Sequence, residues 1–125
     1  MIVCGIDMVL VSRMAKALEK AGFAQRFFGD GERAELAERG HRPQSYAAAF
    51  AAKEAFAKAL GTGVSGFALK EVELRHRENG APYLSLSGAA ADIVAAKGLE
   101  LSVSITHDGD YAVAMVVGTR REDYR

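Results

Sequence analysis

FAAKEAFAKALGTG, residues 50–63, is the stretch on which the reading of this chain turns. It is a strongly helical run whose only charges are Lys53, Glu54 and Lys58, and it runs straight into a glycine-rich turn. At about 100° per residue, those three side chains fall at roughly 0°, 100° and 140°, with Phe50 and Ala57 between them. Ala48, Ala49, Ala52, Ala55, Phe56, Ala59 and Leu60 occupy the opposite arc. The spacing predicts one face bearing an acid and two bases, and another small and apolar enough for close packing. Glu54 and Lys58 are one turn apart, so an ordinary i,i+4 ion pair would account for them. A second oddity argues for more: Asp7 is a lone carboxylate within the apolar run IVCGIDMVLV at 2–11.

Outward from the helix, strands and helices alternate without linker or repeat. Residues 2–11 read as a strand buried on both faces. Ser12 is placed to cap a short helix, RMAKALEKAG, that ends at Gly22. Asp30 is placed to cap a helix through Arg39, with Glu32 in its first turn. Pro43 opens the long helix, and Gly61 can stop it in the left-handed conformation. Val72 and Leu74 alternate with charged residues, Asn79-Gly80 supplies a hairpin turn, and Tyr83 to Leu86 return. Ser87 to Lys97 is helical in pattern. Leu101, Val103 and Ile105 alternate with polar residues, and HDGD turns the chain into YAVAMVV. The expected fold is α+β: one domain over 1–117, with a mixed or antiparallel sheet packed on a long central helix. Residues 118–125 (GTRREDYR) read as a frayed, charged tail.

Composition narrows the function classes. At 125 residues the chain makes one domain, burying roughly two thirds of its unfolded surface. With 16 basic and 16 acidic residues it has no global pull toward nucleic acid or membrane. No apolar run approaches a spanning length, and Met1 leads into Ile2-Val3-Cys4 without a basic region, so no signal peptide is expected. The single cysteine, Cys4, fits a reducing, cytoplasmic setting and reads as a structural thiol on a buried strand.

The candidate sites carry different weights. Gly61-Thr62-Gly63-Val64-Ser65-Gly66 matches G-x-G-x-x-G, but a helix precedes it where the dinucleotide fingerprint needs a strand. Its glycines can still offer backbone N–H groups to phosphate, although a helix stop explains them equally well. His41, His76 and His107 lack metal-ligand spacing, which argues against zinc. Asp7 must face solvent or be matched by a cation or metal. With Glu54 on a facing element, it would give the two oxygen ligands that Mg²⁺ uses when it also keeps waters and substrate phosphate. Lys58, one turn along, would then serve a phosphate oxygen or leaving group.

Four segments now carry a resemblance: GID at 5–7 with Arg13 six residues past Asp7, FAAKEAFAKALGTG, NGAP at 79–82, and VSITHD at 103–108. In that order, over nearly the whole chain, they resemble bacterial holo-acyl-carrier-protein synthases. These are the short, single-lobe members of the 4′-phosphopantetheinyl transferase superfamily. The resemblance implies transfer of the phosphopantetheine arm of coenzyme A to a serine hydroxyl of acyl carrier protein, releasing adenosine 3′,5′-bisphosphate, in fatty acid biosynthesis. It implies Asp7 and Glu54 as Mg²⁺ ligands, Glu54 or a bound water as base, and Lys58 on the pyrophosphate. It implies coenzyme A contacts at Gly61, Thr62, Gly63, Asn79, Pro82 and His107, the last near the 3′-phosphate. It also implies a homotrimer with coenzyme A between subunits.

Two departures stand out: Leu10 where many members carry glutamate, and Asp108 where Ser or Thr is common. Arg13, Lys16 and Lys20 fall at roughly 0°, 300° and 340° of one helix, a basic stripe that Arg26 extends. It suits an acidic carrier protein, or is simply a solvated face. The rival readings are a non-catalytic coenzyme A or nucleotide-binding module, and a Mg²⁺-dependent phosphohydrolase. The intact trio argues against the first, and the lack of a further acidic motif against the second.

Overall fold

The computed structural model describes residues 1–121, and the long helix organises them. This helix, α4 (Pro43–Leu60), begins with proline in its first turn and ends where Gly61 takes φ 79°. Eleven of its residues are buried, from Tyr46 through Ala59. A helix apolar on nearly all sides belongs in a core, and its alanines let neighbours approach the backbone. Strand β1 (Ile2–Leu10) does so at Gly5, where a methyl group would collide with the Ala55 carbonyl and the Ala59 amide.

β1 pairs antiparallel with β5 (Tyr111–Arg120), from Ile2 opposite Thr119 to Leu10 opposite Tyr111. β5 also pairs antiparallel with β4 (Leu99–Asp108), so the order is β1-β5-β4. A second sheet is the hairpin of β2 (Val72–His76) and β3 (Pro82–Leu86). Every pairing is antiparallel, and the α+β expectation holds. Around α4 sit α1 (Val11–Ala17), α2 (Phe23–Phe27) and α3 (Asp30–Glu38), with α5 (Gly88–Lys97) between the sheets in sequence.

Several local expectations are corrected. Ser12 does not cap α1. Leu10 holds that position, and Asp110, from the turn before β5, accepts bonds from the Ser12 amide (3.0 Å) and hydroxyl (2.5 Å). The first helix stops at Ala17 rather than continuing to Gly22. Gly22, at φ 83°, redirects the chain into α2, whose Phe23 and Phe27 join Phe50 in an aromatic cluster. Asp30 is the first residue of α3 rather than its cap; Gly29 caps, and Glu32 reaches back to the Gly29 amide (3.2 Å).

β1 is not buried on both faces. Only its odd-numbered side meets α4, and Ile2, Cys4, Ile6 and Met8 are exposed on the other. Cys4 is thus an exposed thiol. Gly118 to Arg120 are strand, not the start of a frayed tail, because they pair with β1 and β4; residues 122–125 of that tail lie outside the described residues.

The helical wheel misplaces Lys53. It points into the core, fully buried, and bonds the Glu32 carboxylate (2.5 Å) and the Val72 carbonyl (2.6 Å). Glu32 also accepts the Leu74 amide (2.7 Å). One buried ion pair therefore ties α3, α4 and β2 together. The face expected to carry an acid and two bases carries only Glu54 and Lys58.

Candidate active site

Asp7 lies on the helix-facing side of β1, and α4 presents Glu54 and Lys58 one turn apart. The Lys58 ammonium donates to Asp7 Oδ1 (2.9 Å) and to the Ile6 carbonyl (3.0 Å), using two of its three donors. Asp7 is mostly covered, whereas Lys58 is 55 % exposed, so this bridge contributes little stability. Burial raises the Glu54 pKa, the Asp7 charge pushes it the same way, and Lys58 opposes both. The Asp7 charge thus acts on Glu54 as a like charge, which a cation beside them relieves, as Lys58 does in part. Among the described residues no group of three or more His, Cys, Asp or Glu side chains gathers for a metal. Two carboxylates suit Mg²⁺, which is commonly held by one or two together with waters and phosphate oxygens. An open depression of about 460 Å³, lined by Ile6, Asp7, Met8, Lys58 and Val113, leads from this group onto the bare sheet face.

The loop after α4 is set by Gly61 and Gly63, both at positive φ. The Gly61 amide is bonded to the Lys58 carbonyl (3.0 Å), which leaves Thr62 and Gly63 as the loop's candidates for phosphate.

His107 lies at the other end of α4, next to the last residue of β4. Its Nε2 is 3.3 Å from the Gln44 carbonyl. A carbonyl only accepts, so Nε2 carries the proton, and the ring meets an anion at Nδ1 only as imidazolium. Arg39, Arg42, Gln44 and Ser45 share a depression of about 510 Å³ with it, at the N-terminus of α4. Sequence reasoning missed Arg39 and Arg42; the available signal was Arg42 immediately before a proline-started helix, where anions are favoured, with Arg39 three residues further back. Pro82 opens β3 opposite His76, which lines a small cavity with His107. Asn79 stays within the hairpin turn, its side chain accepting the Ala81 amide (3.0 Å). Asp108 is exposed at the end of β4.

Of the basic stripe, Arg13 and Lys16 are exposed on α1, and Arg26 lies on α2 over the Phe27 ring. Lys20 is in the turn between those helices, because α1 ends early. An apolar groove of about 410 Å³ adjoins Arg13, walled by Met8, Leu10, Met14, Phe23, Phe50 and Tyr111. Leu10, one of the two departures, is part of that wall.

Residues 3–116 match the family described as the 4′-phosphopantetheinyl transferase superfamily. This chain belongs to that superfamily. Among its relatives, the holo-[acyl-carrier-protein] synthase of Myxococcus xanthus is 42 % identical over 116 residues, covering 90 % of each chain. The crystal structure of the Neisseria meningitidis holo-[acyl-carrier-protein] synthase superposes with TM-score 0.86 at 30 % identity, covering 94 % of this chain and 98 % of that one. The Helicobacter pylori enzyme, solved in complex with coenzyme A, superposes with TM-score 0.79 at 31 % identity, covering 93 % and 99 %. The phosphopantetheinyl transferase fold thus puts Asp7, Glu54 and Lys58 together, and His107 on a separate patch.

Proposed function

We propose that this chain transfers the 4′-phosphopantetheine group of coenzyme A to a serine hydroxyl of apo-acyl-carrier protein. The observation that carries the reading is Asp7 bonded to Lys58 (2.9 Å) at an open depression, with Glu54 one turn before Lys58 on α4, in a chain of this superfamily. The serine oxygen bonds to the pantetheine-side phosphorus, the bond from that phosphorus to the bridging oxygen breaks, and adenosine 3′,5′-bisphosphate leaves. Asp7 and Glu54 hold Mg²⁺, which when bound neutralises pyrophosphate charge. Lys58 donates to the reacting pyrophosphate, where fixed positive charge lowers the barrier most. Glu54, or a water beside it, takes the serine proton. Thr62 and Gly63 contact the phosphates, and Asn79, Pro82 and His107 the nucleotide end.

Incubation of the protein with apo-acyl-carrier protein, coenzyme A and Mg²⁺ tests this by intact mass. The carrier should gain one phosphopantetheine. Coenzyme A bound without modification of the carrier would instead indicate a binding module.

The active site is shared between three copies of the chain. Gln44, beside His107, precedes Glu54 by ten residues, about 15 Å along α4. That exceeds the phosphate-to-phosphate span of one nucleotide end, which supports contact with two subunits at once. The exposed face of β1 and β5, with Ile2 72 %, Ile6 58 %, Met8 60 % and Met115 42 % exposed, supports burial against another copy. Light scattering should report three chain masses; a fully active monomer at assay dilution would refute sharing.

Arg13, Lys16, Lys20 and Arg26 are the docking rim for the acidic carrier. Arg13→Glu with Lys20→Glu should raise the KM for carrier at least about tenfold at low salt and leave the KM for coenzyme A unchanged. Raising salt should weaken the wild type more than the variant, because exposed charges are screened beyond about 10 Å at 0.1 M. Normal carrier use by the variant at low ionic strength would show the rim to be only a solvated surface. No helix among the described residues is long and apolar enough to cross a membrane, which supports a cytoplasmic enzyme.

A further inference from the structure

Asp110 carries the wrong charge for its place. It grips Ser12 through both carboxylate oxygens, one residue from Arg13 and hence beside the basic rim proposed to meet an acidic carrier. An exposed acid there works against the attraction of an acidic partner. Charge does not account for it, so geometry must.

The geometry is that of a helix cap supplied from far along the chain. The first amides of a helix have no partner within it, and Leu10, which precedes α1, has no side-chain oxygen to offer them. Asp110 serves two of them. Its carbonyl accepts the Val11 amide (2.8 Å), and Oδ1 accepts the Ser12 amide (3.0 Å). Oδ2 adds a bond from the Ser12 hydroxyl (2.5 Å). The turn between β4 and β5 delivers this side chain, with Gly109 at φ 56°. A carboxylate also suits the positive end of a helix.

α1 depends on such a cap. Its seven residues are too few for a helix that stands alone, and Met14 is its one buried residue. Apolar contacts are not directional, so they set how deep α1 sits more firmly than how it is turned. The Asp110–Ser12 clasp is the directional contact, and Arg13 lies between it and Met14. Tyr111, next to Asp110, walls the apolar groove together with Arg13 and Met14. One turn therefore fixes both the helix and the groove beside it.

We propose that Asp110, acting through Ser12, is a positioning residue for carrier docking: it fixes the direction of α1 and so presents Arg13 and Lys16 without touching the carrier. The inference rests on the docking reading given above and adds to it an acidic residue that charge matching alone would leave out.

The test compares Asp110→Ala, Asp110→Asn and Ser12→Ala with the wild type. Asp110→Ala removes both side-chain bonds. Asp110→Asn keeps an acceptor for the Ser12 amide and offers a donor to the Ser12 oxygen, without the charge. The backbone bond from Val11 survives both, so Val11 and Gly109 keep their places beside His107. Phosphopantetheine transfer is measured at low salt, with carrier and coenzyme A varied in turn. Asp110→Ala should raise the KM for carrier about fivefold, the size of a lost helix cap, and leave the KM for coenzyme A unchanged. Asp110→Asn should bring the carrier KM back near the wild-type value. Ser12→Ala is the milder variant, losing only the hydroxyl bond, and should shift the carrier KM the same way by less. In the Arg13→Glu, Lys20→Glu background, Asp110→Ala should add little, because the clasp acts through the rim. Equal effects of Asp110→Ala and Asp110→Asn, in either direction, would tie the effect to charge and overturn the positioning role. An equal rise in both KM values would overturn it too. An unchanged carrier KM in Asp110→Ala, with the rim variant impaired, would overturn the clasp alone. Normal carrier use by the rim variant would overturn the docking reading itself.

Discussion

Asp7→Asn or Glu54→Gln should lower the rate of phosphopantetheine transfer by about a thousandfold, equivalent to roughly 4 kcal/mol of transition-state stabilisation. In the functional reading proposed above these two carboxylates share one metal ion, so the loss of either removes half of its protein ligands. Glu54→Gln should also make the metal-free protein more stable at neutral pH. Glu54's folded pKa is raised, by burial first and by Asp7 second. Its contribution to stability is therefore fully present below the unfolded pKa of about 4.3 and lost as pH rises through the folded value. Glutamine resembles the protonated form and escapes that loss. Thermal melts without divalent cations should show Glu54→Gln level with the wild type near pH 4 and melting above it at pH 7.5. Near-normal Mg²⁺-dependent transfer by either folded variant would remove the pair from the active site.

Lys53→Met should be the most destabilising single change, about 3–5 kcal/mol, because it leaves Glu32 charged and unpaired in the core. Burial drives the Glu32 carboxyl upward and the Lys53 ammonium downward in pKa, and each is opposed by the charge of the other. The Glu32 oxygens also serve the Gly29 and Leu74 amides, so an apolar residue there would orphan two donors. Lys53→Met combined with Glu32→Gln removes the net charge and keeps an acceptor. It should recover about half of the loss in urea unfolding, whereas additive losses would show that the two residues do not act as a pair.

The long helix, its proline start and glycine stop, and the hairpin at Asn79-Gly80 were legible because local chemistry decides them. Asp7, Glu54 and Lys58 were legible as oddities. What sequence could not convey was decided by contacts distant along the chain. Lys53 looks like part of a wet face until Glu32 is folded against it, 21 residues away. Ser12 looks like a helix cap until Asp110 arrives from 98 residues downstream. Arg39 and Arg42 look like loop arginines until β4 brings His107 beside them. The open face of β1 reads as core, because an almost unbroken apolar run does not distinguish a covered face from a bare one.

β5 is the middle strand of its sheet and the last element among the described residues, and this governs how the sheet is made. Ile2 has no strand partner until Thr119 exists, and β4 likewise waits for Tyr111 to Arg120. A nascent chain of 110 residues could form α4, but β1 and β4 would lack the strand that joins them into the sheet packed on it. At about 5–20 residues per second, α4 spends seconds outside the ribosome with its apolar sides bare. Folding therefore waits until Tyr111 to Arg120 have emerged, and truncation before Tyr111 should yield a chain that depends on chaperones rather than a smaller domain.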